Sequence, residues 1–249
     1  DAGSMKTRAV KDGDEWVING SKNFITNGQS CDAYVLVCVT DPDAGSKGTS
    51  TFVIPQDTPG IEPGKPEPKM GIRATDTTAL TLTDCRVPDS YLVGNHGDGF
   101  KIMLSALDSG RLGVAAQGLG IAQAALDASL KYSEERYQFG KPISAFQAIR
   151  NKVADMQMRA QAARMLLYHA AWKKDQGERF TMEASMAKVY CSEAATENAL
   201  EAVQIHGGYG YTMDYPVERM LRDAKITEIY EGTNEVQRIV IGRMLYGKK

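Results

Sequence analysis

The feature that most constrains this fold is a change of texture near residue 95. Before it come short β-branched or aromatic runs: Trp16-Val17-Ile18, Asn23-Phe24-Ile25-Thr26, Tyr34 to Val39, Ser50 to Ile54 and Thr78 to Leu82. Turn signals separate them, among them Asp12-Gly13-Asp14, Asn19-Gly20, Asn27-Gly28, Asp41 to Gly45 and Pro59-Gly60. Seven of the nine prolines precede residue 90. Strands of this length and spacing predict a small antiparallel β-sandwich or barrel.

After the change, Phe100 to Lys131 is rich in alanine and leucine at helical spacing. Pro142 to Asp175 is a second helical stretch, with Pro142 at a permissible first-turn position. Thr181 to Ile205 is a third, stopped by Gly207-Gly208. A short piece around Pro216 to Asp223 and a last helix through Val236, Ile239, Val240 and Met244 follow. Long helices with short links predict an up-down four-helix bundle. The expected class is α+β multidomain, with a β domain over 1–95 and a helical domain over 96–249, joined where Gly94, Gly97 and Gly99 cluster. Asp1-Ala2-Gly3-Ser4 has no initiator methionine and reads like the middle of a turn, as in an N-terminally incomplete domain.

Composition narrows the function classes. Hydrophobic content of 43% and charged content of 24% are those of a soluble globular protein. A net charge of −2 gives no reason to expect nucleic acid or an anionic membrane surface. No run approaches a membrane span, and no signal peptide opens the chain. Cys31, Cys38, Cys85 and Cys191 are scattered without a CxxC, and the histidines are only His96, His169 and His206. Reduced thiols in an intracellular compartment and no metal site are therefore expected.

Motifs with fixed contexts are absent. No G-x-G-x-x-G opens a helix after a strand, there is no Walker loop, and no Ser or Cys has a nucleophile-elbow context. Five spots remain, each open to a bland reading. Phe24 and Thr26 share a strand face by alternation and suit a planar heteroaromatic, or merely end a strand at an Asn-Gly turn. Asp108-Ser109-Gly110-Arg111 puts a glycine inside an apolar helix, where it costs about 1 kcal/mol relative to alanine, so something approaches closely. Arg111 itself could hold an anion or be ion-paired. Glu135 to Pro142 joins two helices and offers a cation, an amide and a helix start to a pyrophosphate, or is an ordinary turn. Gln204 to Tyr211 has glycines that admit a ligand or cap a helix, and His206 reads as packed. Glu231 stands just before the last helix, where it either favours the helix dipole or is aimed at chemistry. Asn234 with Gln237 is a plausible cap for that helix, and Thr233 a second candidate.

Together these spots, in this order and spacing, resemble the acyl-CoA dehydrogenase flavoprotein family over the whole chain. The most specific parts are Arg222 to Thr233 and Arg136 to Pro142, and Leu107 to Gln123 resembles the short-chain (butyryl-CoA) branch. The resemblance implies the family's middle β domain and C-terminal four-helix bundle, without its N-terminal helical domain. It implies FAD as cofactor, an acyl-CoA substrate, an electron-transferring flavoprotein as partner and a homotetramer built as a dimer of dimers. The compartment it implies is the bacterial cytoplasm, or the mitochondrial matrix in a eukaryote.

Carried over by position, Glu231 matches the catalytic base. Phe24, Thr26, Arg136, Gln138, Phe139, Phe146, Gln147, Gln204, Ile205, Gly207, Gly208, Thr233 and Glu235 match FAD contacts, Thr26 toward flavin N5. Arg136 to Phe139 and Gln204 to Gly208 match stretches that reach a neighbouring subunit's FAD. Glu235 stands where some relatives have Gln. Ser4, Asp108, Arg111, Gly232 and Arg243 match substrate-side positions. Some branches place the base beside Arg111; here that position is Gly110, which leaves Glu231. The implied reaction converts a short-chain acyl-CoA to the trans-2-enoyl-CoA, with the α-proton going to Glu231 and hydride from Cβ to flavin N5 in β-oxidation. Competing readings are a branched or cyclic acyl-CoA dehydrogenase, an enoyl-CoA reductase of the same fold, or a catalytically dead piece that only folds and oligomerises.

Overall fold

The structure, a computed structural model, describes residues 3–247. The turn read into Asp1-Ala2 lies outside the described residues. The chain divides into two compact units at Ala106/Leu107, inside one long helix.

The first unit is a seven-stranded sheet of β1 (Arg8–Asp12), β2 (Glu15–Thr26), β3 (Ala33–Val39), β4 (Thr49–Pro55), β5 (Ile61–Pro63), β6 (Thr77–Pro88) and β7 (Leu92–Val93). Their order is β5-β6-β2-β1-β3-β4-β7. The pairings are antiparallel except β1 with β3, so the sheet is mixed. One core holds it: Ile18, Leu36, Phe52, Ile54, Leu80 and Val87 are buried together, and Ile61 and Leu92 from the two edge strands pack against the same cluster. A sheet whose two edges share a core must coil around it, as the expected sandwich or barrel does.

Two predicted runs prove to be one strand. β2 continues through Asn19-Gly20, whose turn chemistry is spent on a register shift rather than a reversal. At Gly20, φ is +143°, and a Cβ would lie 2.8 Å from the Thr7 backbone, so close approach rather than turning selects glycine. The Asp12-Gly13-Asp14 signal does reverse the chain, between β1 and β2.

The second unit is helical. Among the described residues its helices are α1 (Gly99–Glu135), α2 (Gln147–Asp175), α3 (Thr181–His206), α4 (Val217–Ile226) and α5 (Asn234–Tyr246), which correspond to the three long stretches, the short piece and the last helix expected from the sequence. Helix α3 is central and packs against α2, α4 and α5, and one core cluster joins it to α1 and α2 through Ala115, Ala122, Ala163, Ala187 and Cys191. Small residues permit that approach: a Cβ on Gly118 of α1 would lie 2.8 Å from the Cys191 carbonyl oxygen.

Pro142 does not begin α2. It closes a two-residue ribbon, β8 (Tyr137–Gln138) with β9 (Lys141–Pro142), and α2 starts at Gln147 after a 3₁₀ turn. The reversal falls on Phe139 and Gly140, both left-handed (φ +54° and +79°), the geometry of a tight hairpin. The expected inter-helix loop is therefore a short hairpin finger.

Candidate active site

Glu231 lies between α4 and α5, where the chain must turn sharply. Glu231 and Gly232 are both left-handed (φ +56° and +86°). Such a conformation strains a residue with a Cβ and persists only if its surroundings hold it. Three contacts do so. The Gln237 side-chain amide, fully buried, donates to the Glu231 and Gly232 carbonyls, each at 3.0 Å. The Asn234 amide donates to the Glu228 carbonyl at 3.0 Å. The Tyr230 hydroxyl donates to the Gln117 side chain on α1.

The cap of α5 differs from the first expectation. Thr233 is the N-cap, its hydroxyl accepting from the Val236 amide at 3.4 Å. Asn234 is the first helical residue because its side chain is drawn inward, 3% exposed, onto Lys188 Nζ at 2.9 Å and the Ser192 hydroxyl at 3.0 Å. The helix also faces inward differently from its apolar stripe. Asn234 and Gln237 are buried, whereas Val236 and Ile239 are exposed.

The Glu231 carboxylate is aimed at α1. A Cβ built on Gly110 would stand 2.6 Å from its Oε2, so the close approach that this mid-helix glycine requires is that of the carboxylate itself. Half-buried there, Glu231 has its carboxyl pushed up by burial, against the opposing pull of Arg111 and Lys188. Arg111 is buried and ion-paired through Nη1 to Asp108 at 2.8 Å, and Asp108 accepts a second bond from Thr181 at 2.7 Å. The Arg111 Nε is buried without a partner. Both readings of Arg111 thus meet in one side chain, which is paired yet keeps an unsatisfied donor.

Lys188 was not singled out from the sequence. It is fully buried on α3, and its ammonium is pushed down to about 8, chiefly by burial. The available signal was its register: Ala184, Ala187, Cys191 and Ala195 place it on the buried face.

A second locus lies at the C-terminal end of α3. A cavity of about 530 Å³ is lined by Tyr132, Arg136, Gln138, Ile205, Gly207 and Gly208, among others. A Cβ on either glycine would meet nothing within 4 Å, so their backbone borders open space. The Arg136 guanidinium lies 5.4 Å from the Tyr209 ring. His206 is packed, stacked on Tyr132 at 4.1 Å with Nδ1 2.8 Å from the Ala202 carbonyl. On the neighbouring finger, Phe139 is 91% exposed and meets Phe146 edge-on at 6.0 Å. Gln147 and Gln204 are exposed nearby in sequence but do not line the cavity.

The remaining positions are less gathered. Phe24 and Thr26 are exposed at the end of β2, but a register shift between Lys22 and Ile25 and a left-handed Phe24 (φ +55°) interrupt the alternation that predicted their shared face. Ser4 is exposed ahead of β1, and Arg243 is exposed on α5. Glu235 is exposed, its carboxyl lowered by its own backbone amide and the Thr233 side chain. Among the described residues no cluster of His, Cys, Asp and Glu could hold a metal ion, and no helix is long and apolar enough to cross a membrane.

Residues 1–85 match the family model described as acyl-CoA dehydrogenase, middle domain, and residues 97–246 match acyl-CoA dehydrogenase, C-terminal domain. An acyl-CoA dehydrogenase of Bacillus subtilis is 52% identical over 247 residues, 99% of this chain and 65% of the relative. The solved butyryl-CoA dehydrogenase of Megasphaera elsdenii superposes with a TM-score of 0.97 at 50% identity, over 99% of this chain and 64% of that one. A chain of the structure described as the electron transferring flavoprotein of Acidaminococcus fermentans gives a TM-score of 0.98 at 51% identity, over 99% and 65%. The chain thus spans just under two thirds of the length of these relatives.

Proposed function

The chain belongs to the acyl-CoA dehydrogenase family, and from that premise we propose that it serves FAD-dependent α,β-dehydrogenation of short-chain acyl-CoA thioesters, with Glu231 as the base. The observation that carries this reading is the Glu231 carboxylate held against Gly110, half-buried and with its pKa raised. A base must be ionised at working pH yet gain a proton readily, and a carboxylate raised by burial meets both demands. Glu231 accepts the α-proton at a carboxylate oxygen. Its own backbone N–H polarises the thioester carbonyl and stabilises the enolate-like charge that develops there. Arg111, oriented by Asp108, offers its unsatisfied Nε to a ligand oxygen; Gly232, Ser4 and Arg243 are the further substrate-side positions in this reading.

The residues present fit a flavin dinucleotide. In the second unit, bare backbone at Gly207 and Gly208, lining one cavity with Arg136, suits a pyrophosphate; in the first unit, taken by itself, exposed Phe24 and Thr26 offer a ring and a hydroxyl suited to an isoalloxazine. Phe139, Phe146, Gln147, Gln204, Ile205, Thr233 and Glu235 are the further contacts in this reading. When bound, FAD supplies the acceptor for the hydride leaving Cβ. In this reading Arg136 to Phe139 and Gln204 to Gly208 serve the FAD of a second copy in a homotetramer, and an electron-transferring flavoprotein takes the electrons. The match with the Acidaminococcus chain supports that last choice.

The test is an anaerobic panel of acyl-CoA thioesters on the purified protein. Flavin absorbance bleached fastest by butyryl-CoA is expected; a colourless protein, or one that butyryl-CoA leaves oxidised, would overturn the reading.

A further inference from the structure

Lys188 has no place in the reaction above, yet it is costly to keep. It is fully buried, and it meets the N-terminal end of α5, where a helix dipole already disfavours a cation. Packing alone does not require it. Its hydrogen-bond partner, Asn234, is also bonded to Ser192 and Glu193, and an apolar side chain of similar volume would be cheaper to bury. The charged groups facing Lys188 come from three places: Arg111 on α1, Glu228 and Glu231 before α5, and Glu235 on α5. The three carboxylates favour its charged form and Arg111 opposes it.

The route from Lys188 to Glu231 is short. Lys188 Nζ donates to Asn234, the first residue of α5. One turn along the same helix, Gln237 grips the Glu231 and Gly232 carbonyls. We propose that Lys188 is a positioning residue for Glu231: anchored on Asn234, its ammonium fixes the start of α5, hence the loop that aims the carboxylate at Gly110, and supplies that carboxylate with a counter-charge. The inference rests on Glu231 being the base. Lys188 then acts with Arg111, the larger opposing charge, to limit how far burial raises the carboxyl.

The test follows Glu231 directly, without turnover. In the full chain with ¹³C-labelled glutamate carboxyls, the Glu231 signal is the one absent from Glu231→Gln. In Lys188→Met its titration midpoint is expected to rise by about one pH unit, the low end of the effect of a nearby opposite charge. An unmoved midpoint in folded K188M would overturn the proposal. Because coupling between two sites is reciprocal, the Lys188 ε-methylene midpoint must fall by the same amount in E231Q. That arm leaves position 188 intact, so it decides the matter even where K188M does not fold, and an unmoved Lys188 midpoint overturns the proposal equally. Flavin bleaching by butyryl-CoA in E231Q at the wild-type rate would instead remove Glu231 as base and leave these couplings untouched.

Discussion

Gly110 and Gly118 sit about two turns apart on α1, and the side chains they forgo would meet different obstacles. At Gly110 the obstacle is the far end of a flexible carboxylate; at Gly118 it is the backbone of α3. Gly110→Ala should therefore keep or raise thermal stability, since alanine is better in a helix by about 1 kcal/mol, while displacing Glu231 and slowing flavin reduction by butyryl-CoA. Gly118→Ala should cost about 1–3 kcal/mol by overpacking, read as a lower urea midpoint. The opposite ordering of the two stabilities would contradict the contacts. The sequence marked Gly110 as needing a reason, but it cannot say whether a side chain or a backbone supplies it.

The raised Glu231 carboxyl has a signed consequence for pH. Its contribution to stability is full below its unfolded pKa and lost as pH rises through the higher folded value. The base works in its ionised form, so flavin reduction should rise with pH through a midpoint above the ordinary carboxylate range of about 4. A rate already flat from pH 4 upward would count against that direction.

At the scale of elements, α5 is held by polar residues on its buried face. Gln237→Leu would leave the Glu231 and Gly232 carbonyls without their donor. The expected cost is about 1–3 kcal/mol, the penalty for stranding partly buried acceptors, with slower flavin reduction because the loop loses its clasp. Urea denaturation and stopped-flow absorbance would measure the two; an unchanged reduction rate would detach the clasp from function. This face was poorly legible. A period of apolar residues marked Val236 and Ile239 as inward, whereas the inward positions are Asn234 and Gln237, whose value lies in specific hydrogen bonds that periodicity does not register. Lys188 escaped notice for the same reason, as a cation on an alanine-rich helix reads as solvated until its register is compared with the buried face. Pro142 misled because a proline that suits a first helical turn equally suits the edge of a tight ribbon.

At the scale of the molecule, the change from strands to helices was plain, because alternation and turn residues before residue 95 and long alanine-rich stretches after it are both local signals. Three short strands, β1, β5 and β7, were not: β5 and β7 are fixed by pairing with a neighbour distant in sequence, and β1, a hairpin arm with only Ala9 buried, carries little alternation of its own. The candidate site was visible as separate spots; that Glu231 and Gly110 meet, some 120 residues apart, only the fold discloses. If, as proposed, cofactor contacts are shared between copies, light scattering should give the mass of four chains, and a monomer would contradict that proposal. The central claim is narrower: Glu231 takes the α-proton. Glu231→Gln should bind FAD as the unaltered protein does and be bleached by butyryl-CoA at least ~10²-fold more slowly, the lower end of what a general base contributes. Bleaching at the unaltered rate would contradict it.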